Sequence, residues 1–119
     1  MDINKVTLIG RLTAKPEPRK VPSGQSLTSF SVATNYVWMD AKTREKKNST
    51  EYHDVLAWGK LAEIAATYLD KGSRVYLEGR LQRRETRGTK ERTRQTTTIV
   101  ADEIIMLGGA RREVVAEAD

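Results

Sequence analysis

Two kinds of side chain stand out in this chain: cations massed in one stretch, and flat rings at strand-like spacing. Arg80, Arg83, Arg84, Arg87, Lys90, Arg92 and Arg94 fall within fifteen residues, opposed only by Glu85 and Glu91. The chain's formal net charge is +5, and this one stretch carries all of it, because the flanking segments cancel. Cations bunched in this way suit a polyanion, since each neutralised phosphate releases counterions. Aromatic residues make up only 6% of the chain, so their placement matters more than their number. Tyr36 and Trp38 are two apart, and Tyr52 and Trp58 six apart. Even spacings put each pair on one strand face. Flat rings accept stacked bases of any identity, and together with phosphate-binding cations they are what gripping an unpaired nucleic-acid strand requires.

Catalytic and metal chemistry find little support. Cys is absent, which removes disulfides, thiolate zinc sites and thiol nucleophiles. The lone histidine, His53, precedes Asp54, but strand neighbours point to opposite faces, so the two do not form half of a catalytic dyad. No nucleophile elbow, phosphate-cradling glycine loop or metal-ligand spacing is present. No catalytic residue, metal or cofactor is therefore expected. No apolar run approaches the roughly 20 residues that cross a bilayer. The opening Met1-Asp2-Ile3-Asn4-Lys5 has no apolar core, so no secretory signal is visible and a cytoplasmic protein is expected.

The elements that must position these residues follow from periodicity. Residues 5–14 alternate as a strand interrupted by Gly10, where a barrel strand would bend. Residues 15–26 carry Pro16, Pro18, Pro22 and Gly24 and read as a connection. Residues 27–38 form a second strand, with Phe30, Val32 and Thr34 on one face. A charged loop spans 39–50, and residues 51–58 form a third strand. Leu61, Ile64, Ala65, Tyr68 and Leu69 then share one helical face over 60–70, which places Tyr68 in the core. Strands at 73–84, with Gly79 as a second bend, and 92–107 follow. The order β-β-β-α-β-β predicts an all-β domain with one helix. It is that of a five-stranded OB-fold Greek-key barrel with the helix between strands 3 and 4. The domain is expected over 1–109, with 110–119 a short disordered extension. Trp38 shares the parity of the core residue Phe30, so exposing it requires a strand that outruns the barrel.

The chain resembles the bacterial single-stranded DNA-binding (SSB) family. The resemblance runs from Asn4-Lys5-Val6-Thr7-Leu8-Ile9-Gly10-Arg11-Leu12 through Phe30-Ser31-Val32-Ala33-Thr34. It is most specific from Gly59-Lys60-Leu61-Ala62-Glu63, through Tyr68-Leu69, to Lys71-Gly72-Ser73-Arg74-Val75-Tyr76-Leu77-Glu78-Gly79-Arg80-Leu81, and it ends near Gly109. It implies an OB-fold that binds and protects single-stranded DNA, with little sequence preference, in replication, recombination and repair, usually as a homotetramer. Its stacking aromatics carry over to Trp38, Tyr52 and Trp58, and these three are expected on one sheet face. A further family tryptophan aligns with Thr86, and Lys20 stands where an aromatic is common. His53 resembles a histidine near the subunit interface. The expected phosphate contacts are Arg11, Arg19, Lys20, Lys60, Arg74, Arg80, Arg84, Arg87, Lys90 and Arg92. Family members recruit replication and repair proteins through an acidic C-terminal tip, which the sequence Arg111 to Asp119 does not contain. The competing reading is an OB-fold protein–protein adaptor of the primosome type with weak nucleic-acid binding. A nuclease-type OB-fold enzyme would need clustered carboxylates, which are not apparent.

Overall fold

Alternation decides which side of each strand is buried. In β1 (Val6–Leu12) every second residue turns inward, ending at Leu12. Phe30 and Val32 of β3 (Ser26–Met39) do the same, as do Val55 and Ala57 of β4 (Lys46–Trp58). Val75 and Leu77 of β5 (Arg74–Arg87) and Ile99, Ala101 and Ile104 of β6 (Thr93–Leu107) complete the ring of inward residues. The computed structural model describes residues 1–87, 93–108 and 114–117.

The sheet runs β1-β5-β6-β4-β3, and β1 closes it onto β3 at Arg11↔Ala33 and Leu12↔Val32. All contacts are antiparallel except β4–β6, which is parallel. The result is a closed five-stranded OB-fold barrel. Two glycines allow the closure. A Cβ on Gly10 would strike the Ala33 carbonyl, and one on Gly79 the Val100 carbonyl. The β5–β6 register shifts between Glu78 and Gly79, which is the bend that the mid-strand glycine predicts.

The helix, α1 (Gly59–Tyr68), seals one side of the barrel through Leu61, Ala62 and Ala65. Thr28, itself buried, donates its hydroxyl to the Ala62 carbonyl at 2.7 Å. Leu69, just past the helix, is 2% exposed, whereas Tyr68 is 60% exposed. The core placement of Tyr68 is thus corrected. The helix ends at Tyr68, and the extended backbone of Leu69 carries its side chain inward instead.

Three boundaries differ from the sequence reading. The proline-bearing connection contains a short strand, β2 (Glu17–Lys20), paired among the described residues with β3 alone. Pro18 is tolerated there because an edge strand leaves one side without ladder bonds. In chain order the helix therefore follows the fourth strand rather than the third, although it still follows the third strand of the barrel. The charged loop shrinks to 40–45, because β3 and β4 keep pairing out to Met39↔Lys46. Within residues 110–119, Val114–Glu117 form β7, antiparallel to β6.

Candidate nucleic-acid interface

The β3–β4 ladder fixes which rings share a face. Cross-strand partners point the same way. Phe30↔Val55 and Val32↔His53 face the barrel interior, and the same side continues through Thr34↔Glu51 and Tyr36↔Ser49 to Trp38↔Lys47. The outer side carries Leu27↔Trp58, Ser29↔Leu56, Ser31↔Asp54 and Ala33↔Tyr52. Tyr52 and Trp58 therefore share the outer face, while Trp38 lies on the opposite one. The expectation of all three on one face is corrected. Trp38 lies five positions, an odd offset, beyond Ala33, the partner of Tyr52.

Beyond the barrel the hairpin becomes a two-stranded arm. Here inner-face parity no longer means burial: Tyr36 is 68% and Trp38 39% exposed. Their rings stack at 5.8 Å with 25° between planes. The turn is shaped by Asp40, whose carboxylate accepts the Lys42 and Thr43 amides and pairs with Lys47 at 3.3 Å. These contacts, the backbone amides first, hold the Asp40 carboxyl below its usual range. Arg44 takes the left-handed backbone of the turn.

A groove of about 400 Å³ opens where residues 13–15 meet β2, β3, β4, β5 and β6. Lys15, Glu17, Arg19 and Arg84 stand on its walls, and Asp54, Val55 and Leu56 represent β4 in it. Tyr52, 68% exposed, and half-buried Trp58 flank it along β4. Arg84 reaches this groove because Arg80, Gln82 and Arg84 alternate outward along β5 while Leu77 turns to the core. Arg80 is engaged by Asp102 at 3.3 Å, a solvent-exposed pair of small energetic weight.

The remaining expected cations scatter. Arg19 and Lys20 are exposed on β2, where they border a second hollow against α1, and Lys60 is exposed in the first helical turn. Arg11 and Arg74 are register partners on the outer side of β1 and β5, and Arg11 also pairs with Ala33, the partner of Tyr52. The Arg11 guanidinium donates to the Gly72 carbonyl at 3.2 Å. Arg87 ends β5, and Lys90 and Arg92 lie outside the described residues. His53 is half-buried, with its Nε2 2.8 Å from the Thr34 hydroxyl, so its contact lies within its own hairpin.

The sequence reading passed over Asp54 as a groove residue and over the stacking of Tyr36 on Trp38. The i, i+2 spacing was the available signal for the second; nothing local signals the first. Among the described residues, no three His, Cys, Asp or Glu side chains gather as metal ligands. No described helix is long and apolar enough to cross a membrane.

The model of the single-strand binding protein family matches residues 3–107. The chain belongs to this family. Its relatives include single-stranded DNA-binding proteins of Neisseria meningitidis serogroups A and B. Each is 48% identical over 109 residues, covering 92% of this chain. The chain spans 62% of the length of those relatives. Among solved structures, a Plasmodium falciparum SSB in complex with ssDNA superposes with a TM-score of 0.79 at 28% identity, covering 100% of this chain and 97% of the other. A deletion mutant of the Thermus aquaticus single-stranded DNA-binding protein gives 0.78 at 30% identity, covering 95% and 55%. The family match takes in the barrel, the arm and the groove alike.

Proposed function

We propose that the chain binds single-stranded DNA with little sequence preference, without a catalytic step, and protects it during replication, recombination and repair. One observation carries this reading: Tyr52 and Trp58 flank a groove whose walls hold Lys15, Arg19 and Arg84. Bases stack on the rings, and phosphates meet the cations. The Tyr36–Trp38 pair on the arm offers a second platform on the other side of the ladder. Lys20, Lys60, Arg80, Arg87, Lys90 and Arg92 supply further phosphate contacts. Such a protein works on nucleoid DNA in the cytoplasm, and replication and repair proteins are its expected partners.

The test is titration of oligo-dT into the protein, followed by tryptophan fluorescence at two salt concentrations with duplex DNA as control. Quenching by dT, a weak response to duplex and loss of affinity with salt support the reading. An equal response to duplex and single strand overturns it in favour of the adaptor.

A homo-oligomer, the tetramer of the resemblance, is the second part of this reading. The outer side of β1, β5 and β6 carries three cross-strand rows. Arg11–Arg74–Leu107 lies at one end, Ile9–Tyr76–Ile105 in the middle and Thr7–Glu78–Glu103 at the other. A two-fold axis between two such sheets, running across the strands, lays Tyr76 on Tyr76 and Arg74 on Glu78. We therefore assign Arg11 and Arg74 to a second copy rather than to phosphate, since the two glutamates supply the complementary charge. His53 is assigned to the same assembly on the strength of the resemblance. Arg74→Glu should dissociate the oligomer in sedimentation, and Arg74→Glu with Glu78→Arg should restore it. An unchanged mass in the single variant overturns this face.

A further inference from the structure

Asp54 and Glu17 are the carboxylates of a groove whose other charged residues, Lys15, Arg19 and Arg84, suit phosphates, and the place of Asp54 on the Tyr52 side of β4 gives it a use. Alternation along β4 turns Tyr52, Asp54, Leu56 and Trp58 to the same side. Asp54 thus sits roughly 7 Å along the strand from Tyr52, and about 13 Å from Trp58, at the rise of an extended chain. Leu56 is 5% exposed and forms the groove floor, whereas Asp54 is exposed. The cross-strand neighbour of Asp54 is Ser31, which is too short to cover it.

Lys15, Arg19 and Arg84 line the same groove, yet no ion pair to Asp54 forms among the described residues. Its acceptor capacity is left for a ligand. A phosphate facing it would be repelled, so the group of a bound strand that faces it is a base edge. An ionised carboxylate only accepts hydrogen bonds. Cytosine, adenine and guanine offer an exocyclic amino group, whereas thymine flanks a single N–H with two carbonyl acceptors. Unpaired bases expose these edges, and a carboxylate reads the amino group of cytosine directly.

We propose that Asp54 is a specificity-determining residue, which tilts single-strand binding toward bases bearing an exocyclic amino group and away from thymine. The proposal rests on the single-strand reading above and deepens it: the weak base preference that remains is set at this one position, beside the ring of Tyr52.

The experiment compares the affinities of oligo-dC and oligo-dT of equal length, at one salt concentration, for the wild-type protein, Asp54→Asn and Asp54→Ser. The position is exposed, so melting curves should coincide and exclude a folding defect. Intrinsic differences between the two oligomers cancel in the ratio of ratios. In Asp54→Asn the amide adds a donor that thymine carbonyls can use. The dC-to-dT affinity ratio should fall by about three- to tenfold, the scale of one exposed hydrogen bond to a charged acceptor. It should fall in Asp54→Ser as well. If both affinities rise by the same factor, the carboxylate acts only as a like charge to phosphate, and the proposal is overturned while the single-strand reading stands. If the wild-type protein binds neither oligomer, the single-strand reading fails and this proposal with it.

Discussion

β3 and β4 form one continuous ladder, yet its two halves behave as different materials. Over the barrel, the inner face holds Phe30 at 7%, Val32 at 0% and Val55 at 1% exposure. Over the arm, the same face holds Tyr36 and Trp38, open to solvent. Register and parity do not change between them. What changes is the presence of a second layer: the barrel half has α1 and the opposite strands to pack against, and the arm has no such layer among the described residues. Parity tells which residues share a side; burial requires something on that side. The same chain thereby makes a rigid body from aliphatic residues and a display platform from aromatic ones.

This contrast predicts opposite responses to truncation. Phe30→Ala removes a buried ring and should cost about 3–5 kcal/mol of stability, read by denaturant unfolding. A loss below roughly 1 kcal/mol would mean that the barrel half is as loosely packed as the arm. Trp38→Ala combined with Trp58→Ala should do the reverse. Affinity for oligo-dT should fall by one to several orders of magnitude, at about 1–3 kcal/mol per stacked base, while the melting temperature falls much less. Unchanged affinity in the double variant would remove the rings from the interface.

A smaller effect separates groove cations from paired ones. Arg84→Gln should flatten the salt dependence of dT binding by about one unit of log–log slope, as loss of one phosphate contact does. Arg80→Gln, whose guanidinium is already engaged by Asp102, should change the slope less. Equal slopes for the two variants would mean that the Asp102 pair gives way on binding.

The smallest expected effect is on acid stability. The Tyr76 hydroxyl donates to Glu78, with Lys5 3.6 Å from that carboxylate, and these contacts hold the Glu78 carboxyl below its ordinary 4.5. A depressed acid contributes stability that is present above its unfolded value and is lost as pH falls through the folded one. Melting temperature should therefore drop below about pH 4.5, and Glu78→Gln should shrink that drop. The same contact pushes the Tyr76 hydroxyl up. A pH profile identical to wild type would show that the contact exchanges freely with water.

Much of this molecule follows from local rules. Period-two patterning around Phe30, Val75 and Ile99 gives the strands, and the switch to helical spacing at Leu61 gives α1. Gly10 and Gly79 mark the bends, because sterics at a closing barrel admit no side chain there. The massed arginines and the sparse rings point to nucleic acid without any coordinates. These features depend on a residue and its near neighbours, which is why one chain suffices to read them.

The register between strands was decided only by the tertiary structure. It set Trp38 across the ladder from Tyr52 and brought Lys15, Arg19, Arg84 and Asp54 to one groove from four separate segments. It also aligned Arg11 with Arg74, and Glu78 with Glu103, into two rows of opposite charge. A strand's own sequence fixes which residues share a side but not which residues of another strand they meet; packing of the whole barrel selects that pairing. The choice of Leu69 over Tyr68 for the core was settled in the same way, by where the chain leaves the helix relative to the sheet beneath it.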